Sequence, residues 1–308
     1  MPSKTVLITG CGPNGIGSAL AQEFHMRGHR VFATGRSASE IDPALSRLGM
    51  QTLLLDVTSD ESINDAVAAV TVATGGRLDI LINNAGLLHV MPFADTPTAD
   101  LRRIMEVNVI GVWAVTRAFL PLLLEVKGLV ANLGSINQVF CPPFLAAYNA
   151  SKAAIEAMGR TLRRELAPFG VRVVTLKTGS VRSGLFDNAA PTVLPEQSLY
   201  APLRDWIESR GFSASARFME VEDYAEAVVT DLLKDSVQPV IWRGGLVWIA
   251  WIFSWFGWET IMVCSAGATL EVFTATDRSR LSQDREMIKG NNLHTLRYQS
   301  SAEKPKRS

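Results

Sequence analysis

The stretch "YNASK" places Tyr148 and Lys152 four residues apart. On a helix that spacing puts a phenol and an ammonium on one face, where the cation can stabilise a phenolate. A tyrosine with an ordinary pKa of about 10 could then exchange a proton near neutral pH, as a general acid or base must. Two such residues also describe any pair on a helix surface, so the chemistry depends on what stands elsewhere in the chain.

A second chemical feature is the glycine-rich "TGCGPNGIG", Thr9 to Gly17, which follows the apolar run "TVLIT". A loop leading from a strand into a helix presents free backbone N–H groups and the positive end of the helix dipole, which together suit a pyrophosphate. The glycines can be read in two registers. Gly10, Gly12 and Gly15 give G-x-G-x-x-G, whereas Thr9, Gly10, Gly15, Ile16 and Gly17 give T-G-x(4)-G-I-G with one residue to spare inside "CGPN". The companions described below favour the second register, with the extra residue bulging toward the adenosine phosphates.

In a dinucleotide fold, a carboxylate at the end of the second strand would bind a ribose 2′-hydroxyl. This chain has "FATGRS" there, with Thr34 and Arg36 and no acid. A guanidinium complements a 2′-phosphate, so the expected cofactor is NADP(H).

These residues need a scaffold. Apolar runs at 5–9, 30–34, 52–57, 78–83, 128–135 and 171–177 alternate with helical patterns at about 16–27, 43–48, 63–72, 101–124 and 147–166. Short continuous apolar strands separated by helices imply a mainly parallel sheet covered on both faces, a doubly wound α/β Rossmann fold of seven strands. Residues 184–219 hold Pro191, Pro195 and Pro202 around a short helical pattern and are expected to form a substrate lid. The expected division is a catalytic domain at 1–243, an apolar extension at 244–273 and a polar tail at 274–308.

Composition narrows the partners. In 308 residues, 30 basic side chains balance 30 acidic ones, so no global field favours nucleic acid. Cys11, Cys141 and Cys264 lie in three separate contexts, which suits neither a disulfide framework nor a metal cluster, and no metal is expected. "MPSKTVLITG" enters an apparent strand at once, so the catalytic part is expected to face the cytosol.

With these elements in place, the chain resembles the short-chain dehydrogenase/reductase family. The resemblance rests on Thr9 to Gly17, "LDV" at 55–57, "NNAG" at 83–86, "VNVIG" around Asn108, "LGSI" around Ser135, and the Tyr148–Lys152 pair, in order over about 240 residues. It implies that Asp56 and Val57 contact adenine and that Asn84, Ala85 and Gly86 border the cofactor. It also implies that Asn108, Ser135, Tyr148 and Lys152 are catalytic, with Tyr148 and Lys152 also holding the nicotinamide ribose. Ser135 would polarise a ketone oxygen that Tyr148 protonates, Lys152 would lower the tyrosine pKa, and Asn108 would hold a water serving proton resupply. Where the family has P-G-x-x-x-T, this chain has "TGSVRS". Gly179, Val181 and Ser183 keep the nicotinamide positions, and the lost proline adds an N–H donor.

From Gly244 the chain reads "GGLVWIAWIFSWFGW", fifteen residues without a charge. As a helix this spans roughly 22 Å, short of a bilayer core of about 30 Å. Trp248, Trp251, Trp255 and Trp258 would share one face, which suits a membrane-surface anchor. A core or dimer-interface helix is the alternative and leaves a homo-oligomer open. "VFATGR", "TG" in place of "PG", "IWRGG" and the tryptophan-rich end resemble NADPH-dependent 1-acyldihydroxyacetone-phosphate reductases, implying a lipid ketone at the endoplasmic reticulum or lipid droplet surface. A polyketide, terpenoid or steroid-like ketone of secondary metabolism fits the same markers. A catalytically silent NADPH-binding regulator is the alternative from another class.

Overall fold

The computed structural model of the chain describes residues 2–185, 188–211 and 217–256. The first half runs β1 (Thr5–Ile8), α1 (Ile16–Met26), β2 (Arg30–Gly35), α2 (Pro43–Arg47), β3 (Gln51–Leu54), α3 (Asp60–Thr74) and β4 (Ile80–Asn83). There follow α4 (Thr98–Met105), a π-helical segment at Glu106–Ile110, α5 (Gly111–Val126), β5 (Leu129–Leu133), α6 (Asn137–Phe140), α7 (Ala146–Leu166) and β6 (Arg172–Thr178). The remainder is β7 (Val181–Arg182), α8 (Arg204–Glu208), β8 (Met219–Glu220), α9 (Val221–Leu232), β9 (Val240–Arg243) and α10 (Val247–Phe256).

Seven strands form one parallel sheet in the order β3-β2-β1-β4-β5-β6-β9. The strand order reverses between β1 and β4, which opens a crevice at their carboxyl ends where such sheets bind ligands. The central strands are apolar on both faces because helices cover both. Val6, Ile8, Ile80, Ile82, Ala131 and Val174 pack with Leu20 and Phe24 of α1 and Tyr224 and Val228 of α9. Leu7, Leu81, Val130 and Val173 pack on the other side with Ile63 and Val70 of α3, Val115 and Phe119 of α5 and Leu166 of α7. Each fully buried valine, leucine, isoleucine or phenylalanine among them contributes about 1.5–3 kcal/mol, which helps hold the strand ends in place.

Local signals fix the helix ends. Ser59 caps α3 by accepting from the Ser62 N–H, Asp60 and Glu61 complement its dipole, and Gly75 ends it at φ 67°. β3 stops at Leu54, short of the expected 52–57; Leu55 still donates to the Gly35 carbonyl, and the Asp56 carbonyl then accepts from Ser59 in a turn toward α3. The helix expected at 101–124 spans Thr98–Val126 and carries the π segment within it.

The excursion after β6 is closed at its base by the parallel pair β7–β8, two residues in each strand. Its described part packs Leu194 and Ile207 against Leu88, Val90, Phe144, Leu145 and Tyr148. Thr192 donates to the Val90 carbonyl at 3.1 Å, and Ser198 donates to Asp95 at 2.6 Å. α10 buries Ala250 and sets Phe253 edge-on to Phe140, while Trp248, Trp251, Ile252 and Trp255 stay exposed. Trp242 stands apart in β9, beneath the Lys177 ammonium. The expectations for Trp258, for the apolar residues through 273 and for the 274–308 tail lie outside the described residues, as do 186–187 and 212–216 of the excursion.

Candidate active site

The glycine loop begins where β1 ends. Gly10 adopts φ +73°, and a Cβ there would come within 2.9 Å of Ala85 Cα. Gly15 caps α1 without an acidic residue in the first turn, leaving the N–H groups and dipole of the helix open to an anion. A Cβ on Gly17 would stand 2.5 Å from both the Gly10 carbonyl and Asn84 Nδ2, so the backbone here approaches as only glycine allows. The register T-G-x(4)-G-I-G therefore describes the loop geometry, and these residues make a cradle that fits a dinucleotide pyrophosphate. Gly12 instead accepts from the Gly15 N–H at 3.1 Å across a turn with Pro13 and Asn14 at its centre, Asn14 at φ 55°.

The spare residue is stitched toward the second strand. Cys11 N–H donates to Thr34 O at 2.8 Å, and Asp42 N–H donates to Cys11 O at 2.9 Å. Thr34 is itself buried and donates to Ile8 O. Thr9 accepts from the N–H groups of Asn84 and Ala85, both at 3.0 Å, and Asn84 Nδ2 returns bonds to the carbonyls of Thr9 and Gly10 at 2.8 Å. Thr9, Thr34 and Asn84 thus spend their side chains on shaping the loop.

Arg36 follows β2 as expected, but its guanidinium is held by Glu40. Nε and Nη2 donate to the two carboxylate oxygens at 2.9 and 2.8 Å. Spacing of four residues could have revealed that partner; the reading of Arg36 in isolation missed it. Asp56 accepts from the Thr58 N–H and hydroxyl, and Val57 packs where a Cβ on Gly111 would stand.

The four residues carried by the resemblance lie together beyond the carboxyl ends of β4 and β5. Asn108 sits in the π segment, a form of helix that recurs at functional sites because it redirects one side chain. Its Oδ1 accepts from the Leu87 N–H at 2.7 Å, and Nδ2 donates to Leu87 O and Ser151 Oγ at 2.9 and 3.0 Å. The amide ties the loop after β4 to α7, and Gly86 lies close beneath it. Ser135 ends the loop after β5, where its hydroxyl accepts from the Asn137 N–H at 3.1 Å.

Tyr148 and Lys152 project from α7, both buried. Burial pushes the Tyr148 phenol up to about 12, partly offset by a hydrogen bond with Ser135. The lowered pKa expected from the neighbouring lysine gives way here to desolvation. Burial also pushes Lys152 down to about 8. Its Nζ donates to Leu133 O at 2.7 Å and lies 5.6 Å from the Tyr148 ring centre.

Beyond β6, Thr178 occupies the position of the missing proline. It pairs with Arg243 of β9 in the strand register, and its hydroxyl shares a 2.6 Å hydrogen bond with the buried Tyr224 hydroxyl. Gly179 donates to Arg243 O at 2.8 Å, and a Cβ there would strike the Gly245 carbonyl. Gly179, Val181 and Ser183 share a cavity of about 250 Å³ with Ser135 and Tyr148. Its lining includes Leu88, Phe140, Leu145, Phe218 and Leu246, and among the described residues none that line it carries a formal charge.

Sequence reasoning missed the polar row beneath the site. Asn83 Nδ2 donates to Thr116 Oγ1 at 2.9 Å and to Asn132 Oδ1 at 2.8 Å, joining β4, β5 and α5. The signal was an asparagine closing each of the apolar runs "ILIN" and "LVAN", at paired positions of the sheet.

Comparison with known proteins agrees with this geometry. The family model for short chain dehydrogenases matches residues 4–193. A protein of Aspergillus ruber named short-chain dehydrogenase fogD is 37% identical over 261 residues, covering 85% of this chain and 91% of its own. The NADPH-dependent 1-acyldihydroxyacetone phosphate reductase of Schizosaccharomyces pombe is 40% identical over 256 residues, with 78% of this chain and 86% of that one covered. A short-chain dehydrogenase from Streptomyces avermitilis superposes with a TM-score of 0.70 at 27% identity, covering 95% of this chain and all of the other.

Proposed function

The chain belongs to the short-chain dehydrogenase family, an oxidoreductase family that binds a nicotinamide cofactor, and from that premise we propose that it interconverts an apolar ketone and a secondary alcohol with NADP(H). The observation that carries the reading is that Ser135 and Tyr148 line one cavity whose described lining residues carry no formal charge. A bound nicotinamide supplies or accepts the hydride. Ser135 donates to the carbonyl oxygen and concentrates positive potential there. Tyr148, a phenol up to about pH 12, delivers the proton to that oxygen. As the phenolate forms, the Lys152 ammonium offsets its charge, and Lys152 working near its pKa of about 8 can be reprotonated from solvent. Asn108 holds the loop after β4 against α7, which keeps Lys152 and Tyr148 at a fixed distance from the cradle.

Arg36 supports NADP(H) over NAD(H), as does the NADPH-dependent relative. Within this reaction two substrates compete. The S. pombe reductase supports a 1-acyldihydroxyacetone phosphate, and the exposed Trp248, Trp251 and Trp255 suit seating on an endoplasmic reticulum or lipid droplet surface, facing the cytosol. The described lining, which is uncharged, supports an uncharged ketone, because an acyldihydroxyacetone phosphate carries its phosphate close to the reacting carbonyl, where desolvation without a cation is costly. We favour the uncharged ketone. NADPH oxidation with 1-tetralone, a steroid ketone and 1-palmitoyl-dihydroxyacetone phosphate tests both choices. Turnover of the phosphate ester alone overturns the preference, and no turnover of any overturns the activity.

A further inference from the structure

Gln138 and Glu156 form a half-buried clasp between the serine loop and the tyrosine helix. Gln138 Nε2 on α6 donates to Glu156 Oε2 on α7 at 2.5 Å, and Gln138 Oε1 faces the Ser135 N–H at 3.5 Å. The same amide oxygen lies over Gly134, 3.5 Å from where its Cβ would be. Glu156 stands one helical turn beyond Lys152, so α7 grips the end of β5 at two successive turns. Lys152 takes the Leu133 carbonyl, and Glu156, through Gln138, takes the N–H of Ser135.

The carboxylate is itself held by two cations. Lys177 of β6, buried over the Trp242 ring, reaches Glu156 Oε2 at 3.3 Å, and Arg160 of α7 reaches Oε1 at 2.9 Å. A glutamate this enclosed and doubly paired is a fixed point rather than a mobile surface acid. Surface pairing explains Arg160, but neither helix stability nor strand packing requires an amide to bridge this half-buried acid to the loop of Ser135.

We propose that Gln138 and Glu156 are positioning residues for Ser135, setting its distance from the Tyr148 hydroxyl. The proposal rests on the role given to Ser135 above. A displacement of about 1 Å at a reacting centre can cost a hundredfold in rate, so losing the clasp should act on turnover before it acts on cofactor binding.

The test is a double-mutant cycle with Gln138→Met and Ser135→Ala, measured as kcat with whichever of the three ketones is turned over fastest, beside NADPH affinity by fluorescence titration. Gln138→Met should lower kcat about tenfold, leave NADPH affinity within twofold, and cost nothing further when Ser135→Ala is already present. Equal losses in both backgrounds, or a kcat within twofold of the parent, overturn the proposal. If Ser135→Ala itself leaves kcat unchanged, it is the role of Ser135 that falls. Gln138→Glu gives an independent readout, since two carboxylates facing each other must share a proton to restore the bond. Its kcat relative to the parent should recover between pH 8 and pH 5.5; a flat ratio overturns the clasp.

Discussion

Arg36 and Glu40 make cofactor choice a competition whose size can be worked out. Their side chains are 53% and 45% exposed. An ion pair so well solvated and four residues apart on one turn contributes about 0.3–0.5 kcal/mol. At ~1.4 kcal/mol per tenfold, displacing Glu40 from the guanidinium costs roughly a factor of two in affinity. A 2′-phosphate brings more charge and a bidentate charge-assisted hydrogen bond of about 1.5–3 kcal/mol, so it should win. Glu40→Gln should therefore lower KM for NADPH about twofold and leave KM for NADH unchanged. Arg36→Ala should reduce the NADPH preference by roughly 10- to 100-fold, the same bond expressed as a ratio. Steady-state kinetics with both cofactors at low salt measure this, and the Glu40→Gln gain should shrink as salt screens the exposed pair. An Arg36→Ala ratio within twofold of the parent would refute the argument, as would a rise in KM for NADPH in Glu40→Gln.

Other perturbations follow from the same geometry. Tyr148→Phe should lower ketone reduction by about 10²- to 10⁴-fold while NADPH still binds, read by stopped-flow and by titration. With Lys152 near 8, reduction should fall as pH rises through about 8, because the ammonium is lost, and Lys152→Arg should abolish that limb while lowering the plateau. Gly17→Ala forces a methyl against the Gly10 carbonyl, so thermal unfolding should show a loss of about 1–3 kcal/mol together with weakened NADPH binding. Replacing Trp248, Trp251 and Trp255 by serine should leave kcat with a soluble ketone unchanged and reduce co-sedimentation with phospholipid vesicles; unchanged sedimentation removes the surface-anchor reading.

Much of the fold was legible because its signals are local. Apolar runs of five to eight residues and Gly15 before α1 each act within one turn or strand. The glycine register was legible for the same reason, since Gly15 and Gly17 must flank the first helical residue. The four residues Asn108, Ser135, Tyr148 and Lys152 were found through their family spacing, and the structure gathers them at one end of the sheet. What escaped depends on distance along the chain or on burial. Gln138 and Glu156 are 18 residues apart, and Lys177 joins them from another element. The upward shift of Tyr148 could not be read from "YNASK", because spacing shows the neighbouring cation and hides the loss of water. β7 and β8, two residues each, are too short to carry a period.

The asparagine row bears on how the central sheet reaches its final alignment. Asn83 and Asn132 face each other only when Ile82 lies beside Ala131 and Leu81 beside Val130. Shifting β5 by one residue would turn Asn132 into the apolar layer under α1 and α9 and leave Asn83 with Thr116 alone. Each buried amide stranded this way costs about 1–3 kcal/mol, a sizeable fraction of a domain's net stability. Apolar strands as uniform as "ILI" and "LVA" would otherwise tolerate a slip with little loss. The paired amides thus favour the one alignment of β4 and β5 that brings the reactive residues together beyond the carboxyl ends of these strands.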